Sequence, residues 1–134
     1  MFKTVLFPID QSRESREAVD TVADIVKTYG SRLVILSVVD STELDSAEGE
    51  SASPEAIAKL LQGAKSLFAN QGIEAEIDER DGKPAFIICD VADEINADLI
   101  IMGCRGMGLT DEGVAHSVTN RVINLSPCPV MVVP

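Results

Sequence analysis

Residues 98–119 read DLIIMGCRGMGLTDEGVAHSVT, and this stretch decides the fold of the 134-residue chain. Its first part, residues 98–102, is a short apolar run that predicts a buried strand. A glycine-rich segment follows and leads into a helical pattern of apolar residues, at Ala115, Val118, Val122 and Leu125. A strand, a glycine-rich loop and a helix N-terminus together are typical of an anion site, because glycines let the backbone approach and N–H groups point at the ligand. The stretch therefore predicts a ligand that carries phosphate.

Strand and helix patterns alternate along the rest of the chain. Apolar runs predict strands at residues 4–9, 33–39 and 130–133. Strict alternation of apolar and acidic residues predicts a strand with one solvent-exposed face at residues 73–79. Helical spacing with capping residues predicts helices from Ser12 to Gly30, from Ser53 to Gly72 and from Pro84 to Ile95. This order predicts one α/β domain over residues 1–134, a three-layer sandwich with a five-stranded parallel sheet and four helices, Rossmann-like.

The carboxyl ends of the strands are the expected place for a ligand, because α/β sheets bind ligands there, near the point where strand order reverses. Pro8, Ile9 and Asp10 close the first strand, Val38 lies near the end of the second, and Gly103 follows the fourth. The strand at residues 73–79 is expected at a sheet edge, where its outward acids would discourage aggregation.

The charge of the chain excludes several partners. The formal net charge is −11, which argues against nucleic acid and against an anionic membrane surface, since both need basic residues. No apolar run approaches the roughly 18 residues of a membrane helix. The N-terminus lacks a signal-peptide layout, so a cytoplasmic protein is expected.

Neither the cysteines nor the acids of the chain show a regular metal-ligand spacing. Cys89, Cys104 and Cys128 show no metal spacing and predict free thiols. Cys104 stands beside Arg105, whose charge could lower the pKa of the thiol. A packing role for Cys104 is the alternative. Residues 40–52 are rich in acids, Ser and Gly and predict a solvated loop, although a cation-binding loop is the alternative.

Five motifs spread over the chain resemble those of the universal stress protein family. They are residues 5–10 (VLFPID), 33–40, 82–84 (GKP), 97–103 (ADLIIMG) and 126–133 (SPCPVMVV). Their order and spacing carry the resemblance, which covers essentially the whole chain. It implies the adenine nucleotide alpha hydrolase-like form of the fold.

The nucleotide-binding branch of that family carries Gly, two residues, Gly, nine residues, then Gly and Ser or Thr. Gly103, Gly106 and Ser117 fit this pattern, whereas His116 stands where the family has glycine. The resemblance therefore implies that the chain binds an adenine nucleotide, which is ATP, ADP or AMP.

The resemblance implies a role for each matching residue. Asp10 would accept hydrogen bonds from the ribose hydroxyls, Val38 would contact adenine, and the glycine-rich loop would wrap the phosphates. Ser117 and Thr119 would bind phosphate oxygens at the helix N-terminus. The full predicted nucleotide-binding set is Pro8, Ile9, Asp10, Val38, Met102, Gly103, Cys104, Arg105, Gly106, His116, Ser117, Val118 and Thr119.

Each of these residues has a structural alternative. Asp10, Ser117 and Thr119 could serve only as helix caps, the glycines could serve only tight turns, and Val38 could be a core residue. His116 could obstruct the terminal phosphates, or its ring N–H could donate to one of them. We therefore expect a preference for fewer phosphates than ATP carries. Asp111 and Glu112 could repel a triphosphate, hold Mg²⁺ with it, or face solvent.

Three functions remain open from the sequence. The first is a nucleotide-binding regulator that responds to stress or energy state, the second a dimeric scaffold with a vestigial site, and the third a slow ATPase. No catalytic residue is predicted, because no lysine lies in the phosphate loop and there is no GxxxxGK[ST] motif. The resemblance implies a homodimer through the C-terminal strand, residues 130–133, whose edge would otherwise be open. The sequence identifies no protein partner.

Overall fold

The computed structural model describes residues 1–10, 13–39, 54–103 and 112–134. Strands and helices alternate strictly along these residues, as predicted. The elements are β1 (Thr4–Pro8), α1 (Arg13–Tyr29), β2 (Arg32–Val39), α2 (Pro54–Ala69), β3 (Ala75–Asp81), α3 (Pro84–Glu94), β4 (Leu99–Gly103), α4 (Glu112–Leu125) and β5 (Val130–Val133).

The five strands form one parallel sheet in the order β3-β2-β1-β4-β5. β3 lies at one edge, as its alternating acids predicted, and β5 lies at the other. The chain adds strands on one side of β1 and then crosses back to add β4 and β5 on its other side. The order of the strands therefore reverses between β1 and β4, which is where a sheet of this kind opens a crevice at its carboxyl ends.

Helices cover both faces of the sheet, so the fold is the predicted three-layer α/β sandwich. On one face, side chains of α1 and α2 pack against Phe7, Ile35 and Ile101, and the Phe7 and Phe68 rings meet edge to face at 6.0 Å. On the other face, side chains of α3 and α4 pack against Leu6, Leu36 and Ile100. We call these the α1/α2 core and the α3/α4 core. β1, β2 and β4 are apolar runs because both of their faces are buried.

The third strand begins two residues later than the alternation predicted, and the reason is the end of α2. The Ile73 N–H donates to the Phe68 carbonyl at 3.0 Å, and Gly72 adopts a φ of +79°. Ile73 is thus buried as part of the helix C-terminus rather than as a strand residue. At the other end β3 continues to Asp81, because Asp81 lies opposite Val39 in the β2 ladder.

Ion pairs lie along the β3 edge. The Arg32 guanidinium contacts the Glu76 carboxylate at 2.5 Å, and this hydrogen bond lowers the pKa of the Glu76 carboxyl. Arg80 binds Asp78 at 3.0 Å and Glu94 of α3 at 2.9 Å. Part of the acidic edge is therefore neutralised within the molecule. Of the helices described, none is both long and apolar enough to cross a membrane.

The amino ends of β1 and β4 are joined by one carboxylate. Oδ2 of Asp98 accepts hydrogen bonds from the backbone N–H groups of Lys3 and Thr4, each at 3.0 Å, and the Asp98 N–H donates to the Thr4 carbonyl at 2.8 Å. This side chain satisfies two backbone donors just where the central strand begins. Its role is structural, because it lies at the sheet end opposite the predicted ligand.

Replacing Asp98 with Ala should destabilise the protein by about 1–3 kcal/mol, because two backbone N–H groups lose their acceptor. Urea unfolding measures this as a lower midpoint with an unchanged slope. Asp93→Ala is the matched control, since Asp93 is exposed on α3 and its loss should change stability by about 0.5 kcal/mol at most. Equal midpoints for the two variants would contradict the structural role of Asp98.

Candidate functional site

Several of the predicted site residues lie at the carboxyl ends of β1, β2 and β4. Pro8 lies opposite Leu36 of β2, and Leu6 lies opposite Ile100 of β4. Extending each register along the chain places Asp10 beside Val38 and Ile9 beside Gly103. These neighbours lie at the point where strand order reverses, so three segments far apart in sequence meet where sheets of this kind bind ligands.

The side chains at these strand ends differ in what they can offer a ligand. Ile9 is buried in the α1/α2 core, and Met102 is buried in the α3/α4 core. Both were predicted as site residues, and their burial leaves only their backbone groups for contact with a ligand. Asp10 is exposed where β1 ends, and Val38 is half-buried at the margin of the α3/α4 core. The accessible side chains of this group are therefore one carboxylate and one small apolar group.

The ladder also determines where the backbone of Val38 points. The Arg32 N–H donates to the Lys3 carbonyl, and the Leu36 carbonyl accepts from the Ile9 N–H, so even-numbered residues of β2 bond towards β1. The Val39 carbonyl instead accepts from the Gly82 N–H on the β3 side. Because backbone groups alternate sides along a strand, the N–H and carbonyl of Val38 face the end of β1. This arrangement directs a donor and an acceptor towards the crevice.

The phosphate side of the predicted site is described in part. Gly103 is the last residue of β4 and lies opposite Val133. Cys104, Arg105 and Gly106 lie outside the described residues, as do the side chains of His116 and Ser117. Val118 packs against the α3/α4 core, and Thr119 is a buried polar residue with 6% exposure.

The start of α4 differs from the sequence prediction. The helix begins at Glu112, more than one turn before Ser117, so Ser117 and Thr119 lie within the helix and not at its N-terminus. Their N–H groups are thus placed to donate to carbonyls of the preceding turn. The same bounds argue against a simple capping role for either residue. A contribution of Ser117 or Thr119 to ligand binding must come from its hydroxyl.

Cysteine nucleophiles and metal clusters find no support in the described part of the chain. Cys89 is buried in the α3/α4 core, as predicted, whereas Cys128 is only partly buried at its margin. Burial raises the pKa of both thiols, which therefore stay protonated at neutral pH and are poor nucleophiles. The described residues hold no group of three or more His, Cys, Asp or Glu that could bind a metal ion.

Gly82 is a residue at this end of the sheet that the site prediction did not include. Its N–H donates to the Val39 carbonyl at 2.8 Å, and its φ is +142°, a conformation that favours glycine. The signal for it was present in the motif at residues 82–84. That motif predicted a helix start, and only the sheet register shows that Gly82 lies next to the end of β2.

Comparisons with known proteins identify the family of the chain. The model of the universal stress protein family matches residues 1–134. The universal stress protein Sll1654 of Synechocystis is 61% identical over 137 residues, which cover all of this chain and 87% of that protein. The chain therefore belongs to the universal stress protein family.

Two solved structures share the fold closely. The hypothetical protein MJ0577 is 28% identical with a TM-score of 0.83, covering 99% of this chain and 96% of that one. A universal stress protein in complex with cAMP is 25% identical with a TM-score of 0.74, and the match covers 99% of this chain and 97% of that one. The second shows a structural relative bound to an adenine nucleotide.

Proposed function

We propose that this member of the universal stress protein family binds an adenine nucleotide at the carboxyl ends of β1, β2 and β4, and that it acts as a stress- or energy-responsive regulator. One observation carries the proposal. The pairing of Pro8 with Leu36 and of Leu6 with Ile100, continued to the strand ends, supports a common site for Asp10, Val38 and Gly103 where strand order reverses. The solved relative in complex with cAMP supports the same ligand class, because cAMP contains adenosine.

The described groups suit adenosine. The Asp10 carboxylate is an acceptor for two ribose hydroxyls, and the backbone N–H and carbonyl of Val38 suit the acceptor and donor on the edge of adenine. Gly103 has no side chain, so a ribose or phosphate can approach the end of β4 closely. The Thr119 hydroxyl, on the helix that follows, is a candidate phosphate donor. We propose Met102 and Ile9 as backbone contributors, with Pro8 beside them.

Binding at this place would act on the rest of the molecule in two ways. A ligand that binds only the folded state stabilises it in proportion to the logarithm of its concentration over Kd. The segment that follows Gly103 in the chain, residues 104–111, carries the predicted phosphate-binding residues Cys104, Arg105 and Gly106. Occupancy would thus change the surface that a protein partner meets, as a regulator requires.

Calorimetric titration with AMP should give saturable binding, and Asp10→Asn should weaken it about tenfold, because an amide offers one acceptor oxygen to the two ribose hydroxyls. Asp20→Asn, at an exposed position on α1, is the control and should bind AMP like the natural chain. Absence of binding for AMP, ADP and ATP, together with nucleotide-free protein in native mass spectrometry, would favour the vestigial scaffold instead.

The phosphate preference depends on His116. We expect AMP to bind at least as tightly as ATP, with and without Mg²⁺, because an imidazole occupies the place of a family glycine. His116→Gly should then raise ATP affinity several-fold more than AMP affinity. Clearly tighter ATP binding by the natural chain would contradict the preference, and an unchanged ATP affinity in His116→Gly would contradict the steric reason.

We propose a homodimer through the β5 edge. All four residues of β5 are apolar and only partly buried. The Ile100 N–H donates to the Pro129 carbonyl, so odd-numbered residues bond towards β4 and the N–H groups of Val130 and Val132 face outward. A second copy could pair with this edge through a two-fold axis.

Val132→Pro should convert the dimer to a monomer in sedimentation velocity, because it removes one outward N–H without touching the β4 ladder. Val132→Ala keeps that N–H and serves as the control, which should stay dimeric. A natural chain that sediments as a monomer, or a Val132→Pro variant that remains dimeric, would rule out pairing at this edge.

A further inference from the structure

Gly82 extends the pairing of β3 with β2 beyond the last strand residue. β3 ends at Asp81, which lies opposite Val39, and the Gly82 N–H then donates to the Val39 carbonyl at 2.8 Å. This bond is made at the residue that directly follows Val38. It holds the carboxyl end of β2 against the β3–α3 turn, on the side away from β1.

The side chain of Ile87 fills the space where Gly82 would carry a Cβ. A Cβ built at Gly82 would lie 2.8 Å from both Cγ1 and Cδ1 of Ile87, which is closer than real Cβ contacts. Ile87 lies in the first turn of α3, and its N–H donates to the Lys83 carbonyl at 3.0 Å. The absence of a side chain at Gly82 thus lets the start of α3 sit directly on the turn.

Ile87 and Val38 lie on the same side of the sheet. Leu36 and Val38 are opposite Asp78 and Arg80, and alternation places position 82 on that side too. Val38 and Ile87 both pack, half-buried, against the α3/α4 core. Loss of the Gly82 bond to Val39 would therefore act directly on the segment that contains Val38, and a shift of Ile87 would act on it through Gly82 and the shared core.

We propose that Gly82 and Ile87 are positioning residues for the base of the bound nucleotide. They act through Val38, by fixing where β2 ends relative to β1. The inference rests on the proposed nucleotide site and extends it, because it assigns a binding role to the β3–α3 turn, on the far side of β2 from the phosphates. A glycine needed only for the turn would affect stability and leave affinity unchanged.

Calorimetry with AMP and ATP on four forms of the protein tests this assignment. We expect Gly82→Ala to raise the Kd of both nucleotides by the same factor, about tenfold, because base placement is common to both. Ile87→Ala leaves Gly82 intact and should raise both Kd values about three- to tenfold. The double variant should show less than the product of the two single effects, since removing the Ile87 side chain makes room for the new Cβ.

Gly72→Ala is the matched control for backbone strain. Gly72 also has a positive φ, +79°, but no atom lies within 4 Å of a Cβ built there, and it lies at the amino end of β3. The Gly72→Ala variant should have a lowered melting temperature, as Gly82→Ala should, but it should bind AMP with the affinity of the natural chain.

The outcomes separate the two proposals. A natural chain that binds no adenine nucleotide overturns the proposed function and this inference together. Binding by the natural chain that is unchanged in Gly82→Ala and Ile87→Ala overturns the positioning role alone, as does an equal loss of affinity in Gly72→Ala. If Gly82→Ala does not fold, Ile87→Ala decides the matter by its AMP affinity.

Discussion

The rest of the structure depends on the backbone pairing of β1 on both of its sides. Val5, Leu6 and Phe7 have no exposed surface, so every polar group of this backbone must bond within the sheet. β2 supplies one ladder and β4 the other. Because β4 reaches β1 only after the chain has passed through β2 and β3, the order of strands has to reverse there. The crevice at the carboxyl ends is a consequence of that reversal.

The two ends of the sheet are held by different means. At the amino end, the Asp98 carboxylate and the Ser31 hydroxyl bond to backbone groups of residues 2–4, which fixes where β1 starts. At the carboxyl end, the Gly82 N–H closes the β2 ladder, and backbone groups of even-numbered β2 residues face β1. Among the residues that the structure describes, the carboxyl ends of β1, β2 and β4 present backbone groups, the Asp10 carboxylate, the half-buried Val38 and Gly103.

The elements of the fold could be predicted from sequence because burial on both faces leaves long apolar runs, as in residues 33–39. The β3 bounds were missed where one residue, Ile73, is buried for a different reason, the closure of α2. The strand-end positions of Asp10 and Gly103 could be predicted because the apolar pattern changes there, whereas only the family resemblance distinguished Val38 from a core residue. The register that places Gly82 beside Val39 could not be predicted from the sequence, because the pairing of strands leaves no periodic signal in it. The start of α4 could not be predicted either, because the glycine-rich stretch before it has no helical spacing of apolar residues.

The charge of the chain limits how it can bind an anion. A formal net charge of −11 repels a nucleotide at long range, although screening confines this effect to about 8 Å at physiological ionic strength. Besides Arg105, which the sequence places in the glycine-rich loop, attraction would then come from local dipoles, such as backbone N–H groups at strand ends, and from contacts with the neutral parts of the ligand. Each added phosphate increases the repulsion, whereas the adenine and ribose contacts stay the same. In the proposed site, which uses the Val38 backbone, the Asp10 carboxylate and Gly103, the nucleoside part of the ligand would therefore supply most of the contacts, and the position at which β2 ends would affect affinity directly.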